Sequence, residues 1–243
     1  MLADTLSETL QHLENAAKAA HRPTPALLAV SKLQPASAVA ELARAGQRAF
    51  GENYVQEAQA KIGELAGMDL EWHLIGHLQR NKTRTALELF GCIQAVDSLR
   101  LLEQIDGVAG TLGARPSVLL EINASGESSK FGLRPDEAPA VIARAMEMRN
   151  VTLEGLMTMA PATPDPETTR PVFACVRECR DRWEREFGIA LPRLSMGMSG
   201  DFEVAIEEGA TWIRIGTALF GGRPKWRPER GGEDQEEQVW VID

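Results

Sequence analysis

The 243-residue sequence predicts a (β/α)8 barrel of the TIM type, folded as a single domain. Three observations point there. Short apolar runs alternate with longer amphipathic stretches almost from end to end, the pattern of β and α elements taken in turn. The runs are nearly continuous in apolar character, as expected of parallel strands buried on both faces. Eight repeats in this length favour closure, since an α/β barrel uses about 250 residues in one piece. An open doubly wound sheet is the alternative, because a strand count read from one sequence is good to about one or two.

The elements follow in order. Leu2, Leu6, Leu10 and Leu13 recur at helical spacing, so the chain opens with an extra helix, packed outside the barrel or across its bottom. Early acids and the lack of a continuous apolar stretch argue against a secretory signal. Strands are expected at Leu27–Ser31, Arg48–Phe50, Glu71–Ile75, Cys92–Val96, Val118–Ile122, Thr152–Met157, Arg193–Met196 and Trp212–Ile215. Pro35 opens the first barrel helix and Gly46 lies just past it, which suits the preference for proline at a helix start and glycine at its end. A second such helix is expected from Pro135 to Met148, and the longest from about Pro166 to Phe187, ending at Gly188. The core spans about residues 24–223, and the charged, Pro/Gly-rich tail over 224–243 is expected to be mobile.

Composition excludes several functions. The net charge is −9, with 44% hydrophobic and 25% charged residues, the balance of an ordinary globular protein. An acidic surface disfavours broad binding to nucleic acid or anionic membranes, which need clustered positive charge. No apolar run approaches the length of about 20 residues needed to span a bilayer. Cys92, Cys175 and Cys179, an odd and small number in a chain this long, are not a disulfide framework, so buried or half-buried free thiols and a cytoplasmic location are expected.

In a barrel of this kind the chemistry lies at the C-terminal ends of the strands, and phosphate sites form after the last two. Lys32 closes the first strand in LLAVSKLQP, and its amine there points into or across the barrel mouth. With restricted water access it becomes a nucleophile towards an aldehyde; otherwise it is a solvated lysine. In FGENYVQEA, Gly51 is read as a tight turn and Glu52 and Asn53 as polar groups at the rim. His73 and His77, in WHLIGHLQRNK, straddle a strand and its loop rather than a helix turn, so rings hydrogen-bonding at the mouth are expected rather than a metal site. Strand seven runs into LSMGMSGD, where Ser199 offers a hydroxyl just before a helix starting near Asp201. Gly216 and Thr217 hold the equivalent place after strand eight, and convergent amides at such turns bind phosphate. Arg214 lies between Ile213 and Ile215 and so faces inward, either into an internal salt bridge or as a donor to an aromatic ring nitrogen.

Six ordered blocks, AVSKLQP, FGENYVQE, WHLIGHLQRNK, SSKFGL, LSMGMS and IRIGTALFGGR, resemble the signatures of the pyridoxal phosphate homeostasis proteins, single-domain relatives of the alanine racemase barrel. The resemblance covers about Leu27 to Arg223. It implies a barrel holding pyridoxal 5′-phosphate as a Schiff base on Lys32, with Ser199, Gly216 and Thr217 at the phosphate. It implies Arg214 at the pyridine nitrogen, Asn53 and His73 lining the pocket, and Lys130 as a second lysine near the mouth. Cofactor supply within the cell is the implied role, with little or no turnover, PLP-dependent apo-enzymes as candidate recipients and a monomeric state. The alternative is a PLP-dependent amino-acid racemase. That reaction needs an acid or base on each face of the substrate. Lys32 serves one face, but no second domain supplies the other, and only Tyr54 or Lys130 could substitute.

Overall fold

The computed structural model describes residues 1–127 and 131–221. Eight parallel strands close into a barrel in sequence order: β1 (Ala26–Val30), β2 (Ala49–Glu52), β3 (Glu71–Leu74), β4 (Cys92–Val96), β5 (Ser117–Glu121), β6 (Thr152–Met157), β7 (Arg193–Ser195) and β8 (Trp212–Ile215). Closure is made by β1 against β8, with Leu28 opposite Arg214 and Ala29 opposite Ile215. The expected barrel is therefore the observed one, and the open sheet is excluded.

The helices are α1 (Leu2–Ala19), α2 (Ala36–Arg44), α3 (Val55–Glu64), α4 (Thr83–Leu89), α5 (Leu99–Leu112), α6 (Ala138–Glu147), α7 (Arg170–Phe187), α8 (Phe202–Glu207) and α9 (Thr217–Phe220). Helix α1 buries Leu6, Leu13 and Ala17 and packs on α2, α8 and α9. It thus fills the gap in the outer helical ring that the single turn of α9 leaves. The apolar stripe foretold a packed helix, although Leu10 of that stripe is 45% exposed and Ala17 takes a place on the buried face; its berth is beside α2, α8 and α9.

Strand alternation sorts the side chains into two layers. Leu27, Ala29, Phe50, Leu74, Ile93, Val118, Leu120 and Leu156 join the helices in the main core. Leu28, Ala49 and Ile75, with Val30 and Trp212, fill one side of the barrel interior; Cys92, Leu119 and Met157 fill the other.

Beside shifts of one or two residues at the ends of β1, β2, β3, β5 and β7, three differences from expectation have a physical cause. Gly51 and Glu52 are strand residues, not turn and rim; a Cβ at Gly51 would lie 3.1 Å from Leu28 and Ile75 side-chain atoms, so its bareness makes interior room. Pro135 lies in a turn and α6 starts at Ala138, with the Arg134 N–H capped instead by Glu137 Oε2. The segment from Pro166 breaks into a 3-10 turn (Pro166–Thr169), pinned by Asp165 Oδ1 accepting from the Glu167 N–H, before α7 begins. Pro171, in the first turn of α7, has no N–H to continue a helix from behind. Helix α7 is also no longer than α1; both have 18 residues. The tail over 224–243 and Lys130 lie outside the described residues.

Candidate functional site

The loop after β1 is braced from below. Leu28 and Val30 face the barrel interior, and half-buried Lys32 follows in the turn beyond the C-terminal end of β1. Ser31 takes the opposite side and is wholly buried. Its hydroxyl donates to Glu52 Oε1 at 2.6 Å, and its carbonyl accepts from Lys61 Nζ at 2.6 Å. Lys61 also bridges Glu52 at 2.5 Å and Glu57 at 3.0 Å. Glu57 Oε1 in turn accepts the Leu33 N–H at 2.6 Å, holding Leu33 at a left-handed φ of 61°. The residues on either side of Lys32 are therefore both fastened to one buried ion cluster. Burial pushes the Glu52 carboxyl above its ordinary range, and the Lys61 ammonium pulls it back.

Arg214 is buried and faces inward, as its flanking isoleucines required. It makes no internal salt bridge among the described residues. Nη1 donates to the Ser195 carbonyl at 2.7 Å and the Ser195 hydroxyl at 2.9 Å, and Nη2 donates to the Thr158 carbonyl at 2.8 Å. These bonds use the two terminal nitrogens of the guanidinium. Burial lowers the Arg214 guanidinium to about 10, with Asp201 and Glu121 resisting, so it stays charged at neutral pH. Glu121, at the end of β5, is held up at about 7 by burial and by Asp97, against the pull of Arg214.

The turns after β7 and β8 adjoin these groups. Gly197 has φ 90°, and a Cβ there would lie 2.5 Å from Ala205, so only glycine lets α8 abut the end of β7. Asp201 caps the turn, its Oδ1 accepting from the Met198 N–H at 2.6 Å, which leaves Ser199 exposed. The Gly197 carbonyl accepts from the Arg214 N–H, tying this turn to β8. Gly216 and exposed Thr217 begin α9 as expected. A Cβ on Gly216 would lie 3.3 Å from the Val30 carbonyl, which puts this turn against the strand that leads to Lys32.

Asn53 completes the mouth. Its Oδ1 is buried without a hydrogen-bond partner. Gly76 presses on it from the β3 loop, where a Cβ would come within 2.3 Å of the Asn53 carbonyl. His77 sits at the mouth, bonded to Asp97 at 2.7 Å and stacked on Phe131 with ring centroids 4.0 Å apart. His73 does not share that level. It is wholly buried inside the barrel, with both ring nitrogens engaged, by Glu71 and by Gln94.

A phosphorylated aldehyde with a pyridine ring suits this donor set. Lys32 would supply an amine, the turns at Ser199 and at Gly216–Thr217 hydroxyls and amides for an anion, Arg214 a donor, and Asn53 Oδ1 an acceptor with no hydrogen-bond partner among the described residues. Sequence reasoning missed Lys61, Glu57, Thr158, Ser195, Gln94 and Glu121. Only Glu121 carried a signal, a carboxyl at the end of an otherwise apolar strand.

Comparison with known proteins places this arrangement. The family described as alanine racemase, N-terminal domain, matches residues 5–224. The pyridoxal phosphate homeostasis protein of Pseudomonas aeruginosa is 43% identical over 230 residues, 93% of this chain and 98% of that protein. Its namesake in Aquifex aeolicus is 42% identical over 222 residues, 90% of this chain and 97% of that protein. The structure of PipY from Synechococcus elongatus with PLP bound superposes with a TM-score of 0.82 at 40% identity, covering 91% of this chain and all of that one. The chain belongs to the alanine racemase N-terminal domain family and, within it, to the pyridoxal phosphate homeostasis proteins.

Proposed function

We propose that this protein binds pyridoxal 5′-phosphate, holds it covalently through the Lys32 amine, and serves its supply rather than rapid turnover. One observation carries the reading: the Gly216 turn packs on the strand end that leads to Lys32, beside inward-facing Arg214. The name of the relatives and the ligand in the PipY structure support it. Ser199, Gly216 and Thr217 would hold the phosphate, Arg214 would face the pyridine nitrogen, and Asn53 would accept from a polar group on the ring. His73, a layer below, would act through its neighbours.

When bound, the cofactor supplies an aldehyde and an electron-withdrawing ring. Arg214 would donate to the ring nitrogen and, not readily giving up its proton, would leave that nitrogen an acceptor without a proton of its own and so weaken the withdrawal. Tyr54, the one tyrosine, is 56% exposed on the rim, a poor position for a base on the second face of a substrate. Five exposed apolar side chains, Leu33, Tyr54, Phe131, Met159 and Met198, stand on the loops after β1, β2, β5, β6 and β7. A recipient apo-enzyme approaching the mouth would meet these side chains.

The test is borohydride reduction of protein incubated with PLP, followed by mapping of the labelled peptide. The label is expected on Lys32 and absent from Lys32→Ala; an equal label in that variant defeats the assignment. Alpha-proton exchange of alanine in deuterium oxide at enzyme-like rates defeats the low-turnover reading.

A further inference from the structure

A hydrogen-bonded chain crosses the barrel interior on four strands. Arg214 Nη1 is 2.9 Å from Ser195 Oγ. Ser195 Oγ is 2.6 Å from Gln94 Oε1, and Gln94 Nε2 is 2.9 Å from His73 Nδ1. His73 Nε2 is 2.9 Å from Glu71 Oε1. Ser195, His73 and Gln94 are essentially unexposed, whereas the Glu71 side chain is 47% exposed at the opposite end of the barrel from the mouth.

The placement of the Gln94 amide, with Oε1 towards Ser195 and Nε2 towards His73, sets the sense of the bonds between the two ends. A guanidinium can only donate, and an ionised carboxylate can only accept. Ser195 therefore accepts from Arg214 and gives its one proton to Gln94 Oε1. Gln94 is then oriented with its amide nitrogen towards His73, where it donates to Nδ1. An amide nitrogen can only donate, so His73 Nδ1 accepts and the ring directs its Nε2–H at Glu71. Four bonds run in one direction from a buried cation to a carboxylate, and bonds aligned head to tail polarise one another. Trp212, with its ring centroid 4.9 Å from that of His73, packs beside the chain.

We propose that Glu71 is a positioning residue for the ligand site: through this chain it sets the His73 tautomer, the Gln94 amide and the Ser195 hydroxyl, and so the presentation of Arg214. This rests on the reading that Arg214 faces the pyridine nitrogen. Without the acceptor at Glu71, His73 loses its tautomer preference, Gln94 is free to turn over, and Ser195 loses a reason to leave its lone pairs to Arg214.

The test compares wild type with Glu71→Leu, which removes the acceptor, and Glu71→Gln, which keeps one without charge. Long-range proton–nitrogen NMR of the ligand-free protein reads the His73 tautomer, and PLP titration reads the dissociation constant and the absorbance maximum of the bound chromophore. Wild type is expected to show the Nε2–H tautomer alone. Glu71→Leu is expected to show mixed tautomers, a shifted maximum and about three- to tenfold weaker PLP binding, the worth of one hydrogen bond in the chain. Glu71→Gln should restore most of each. Ser195→Ala, which cuts the chain at its other end, should reproduce the spectral shift while keeping the His73 tautomer. An Nδ1–H or protonated His73 in wild type overturns the proposal, as does a Glu71→Leu variant matching wild type in tautomer and spectrum. Failure of wild type to bind PLP overturns the function above instead, and the tautomer measurement then still decides the chain.

Discussion

Replacing Glu121 by glutamine should stabilise the ligand-free protein, and the gain should grow with pH. Glu121 is buried at the end of β5, and burial and Asp97 raise its pKa from 4.5 to about 7 despite Arg214. A carboxyl that holds its proton more tightly folded than unfolded favours the fold while both states are protonated. That advantage is lost as pH rises from the unfolded value through the folded one. At about 1.4 kcal/mol per unit, the gap amounts to about 3 kcal/mol once both states are ionised. Glutamine keeps the neutral shape and cannot ionise. Urea denaturation at about pH 8 should therefore show Glu121→Gln about 3 kcal/mol more stable than wild type, and at about pH 5 less than about 1 kcal/mol more stable. Comparing the two proteins at each pH cancels the titrating groups that do not interact with Glu121. Equal differences at the two pH values would refute the assignment of a raised, burial-driven pKa to this carboxyl.

Other outcomes follow from the same contacts. Lys61→Met strands Glu52 beneath the Lys32 loop and should cost about 3 kcal/mol in urea denaturation. Adding Glu52→Gln should recover part of that loss, and no cost in the single variant would show the cluster to be energetically idle. A Cβ at Gly155 would lie 1.9 Å from the Arg193 carbonyl, so Gly155→Ala should cost about 3 kcal/mol or more, or fail to fold, by prying β6 from β7. Pyridoxal should bind at least about tenfold more weakly than its phosphate, and Thr217→Val should narrow that ratio; equal affinities by equilibrium dialysis would dismiss the turns as the phosphate site.

Much of this was legible along the chain because periodicity is local. Nearly continuous apolar runs announced parallel buried strands, and the isoleucines flanking Arg214 told which way it points. Lys32, Ser199, Gly216 and Thr217 were singled out by their places after strands one, seven and eight, where a barrel puts its site. Gly51 and Glu52 were misread because a glycine beside two polar residues looks like a turn. In the fold, the glycine gives room to Leu28 and Ile75, and the glutamate turns under α3 to meet Lys61.

The sequence alone determined the repeat, the inward and outward faces and the loops able to carry chemistry, since each depends on neighbours a few residues apart. It could not tell which inward residues meet. Lys61 reads as one more helical lysine until α3 lies over the β1 loop. Gln94 and Ser195 are 101 residues apart and touch only because the barrel closes in this register. Closure and register decide contacts across the barrel axis, and they arise from the packing of all eight strands together rather than from any one segment.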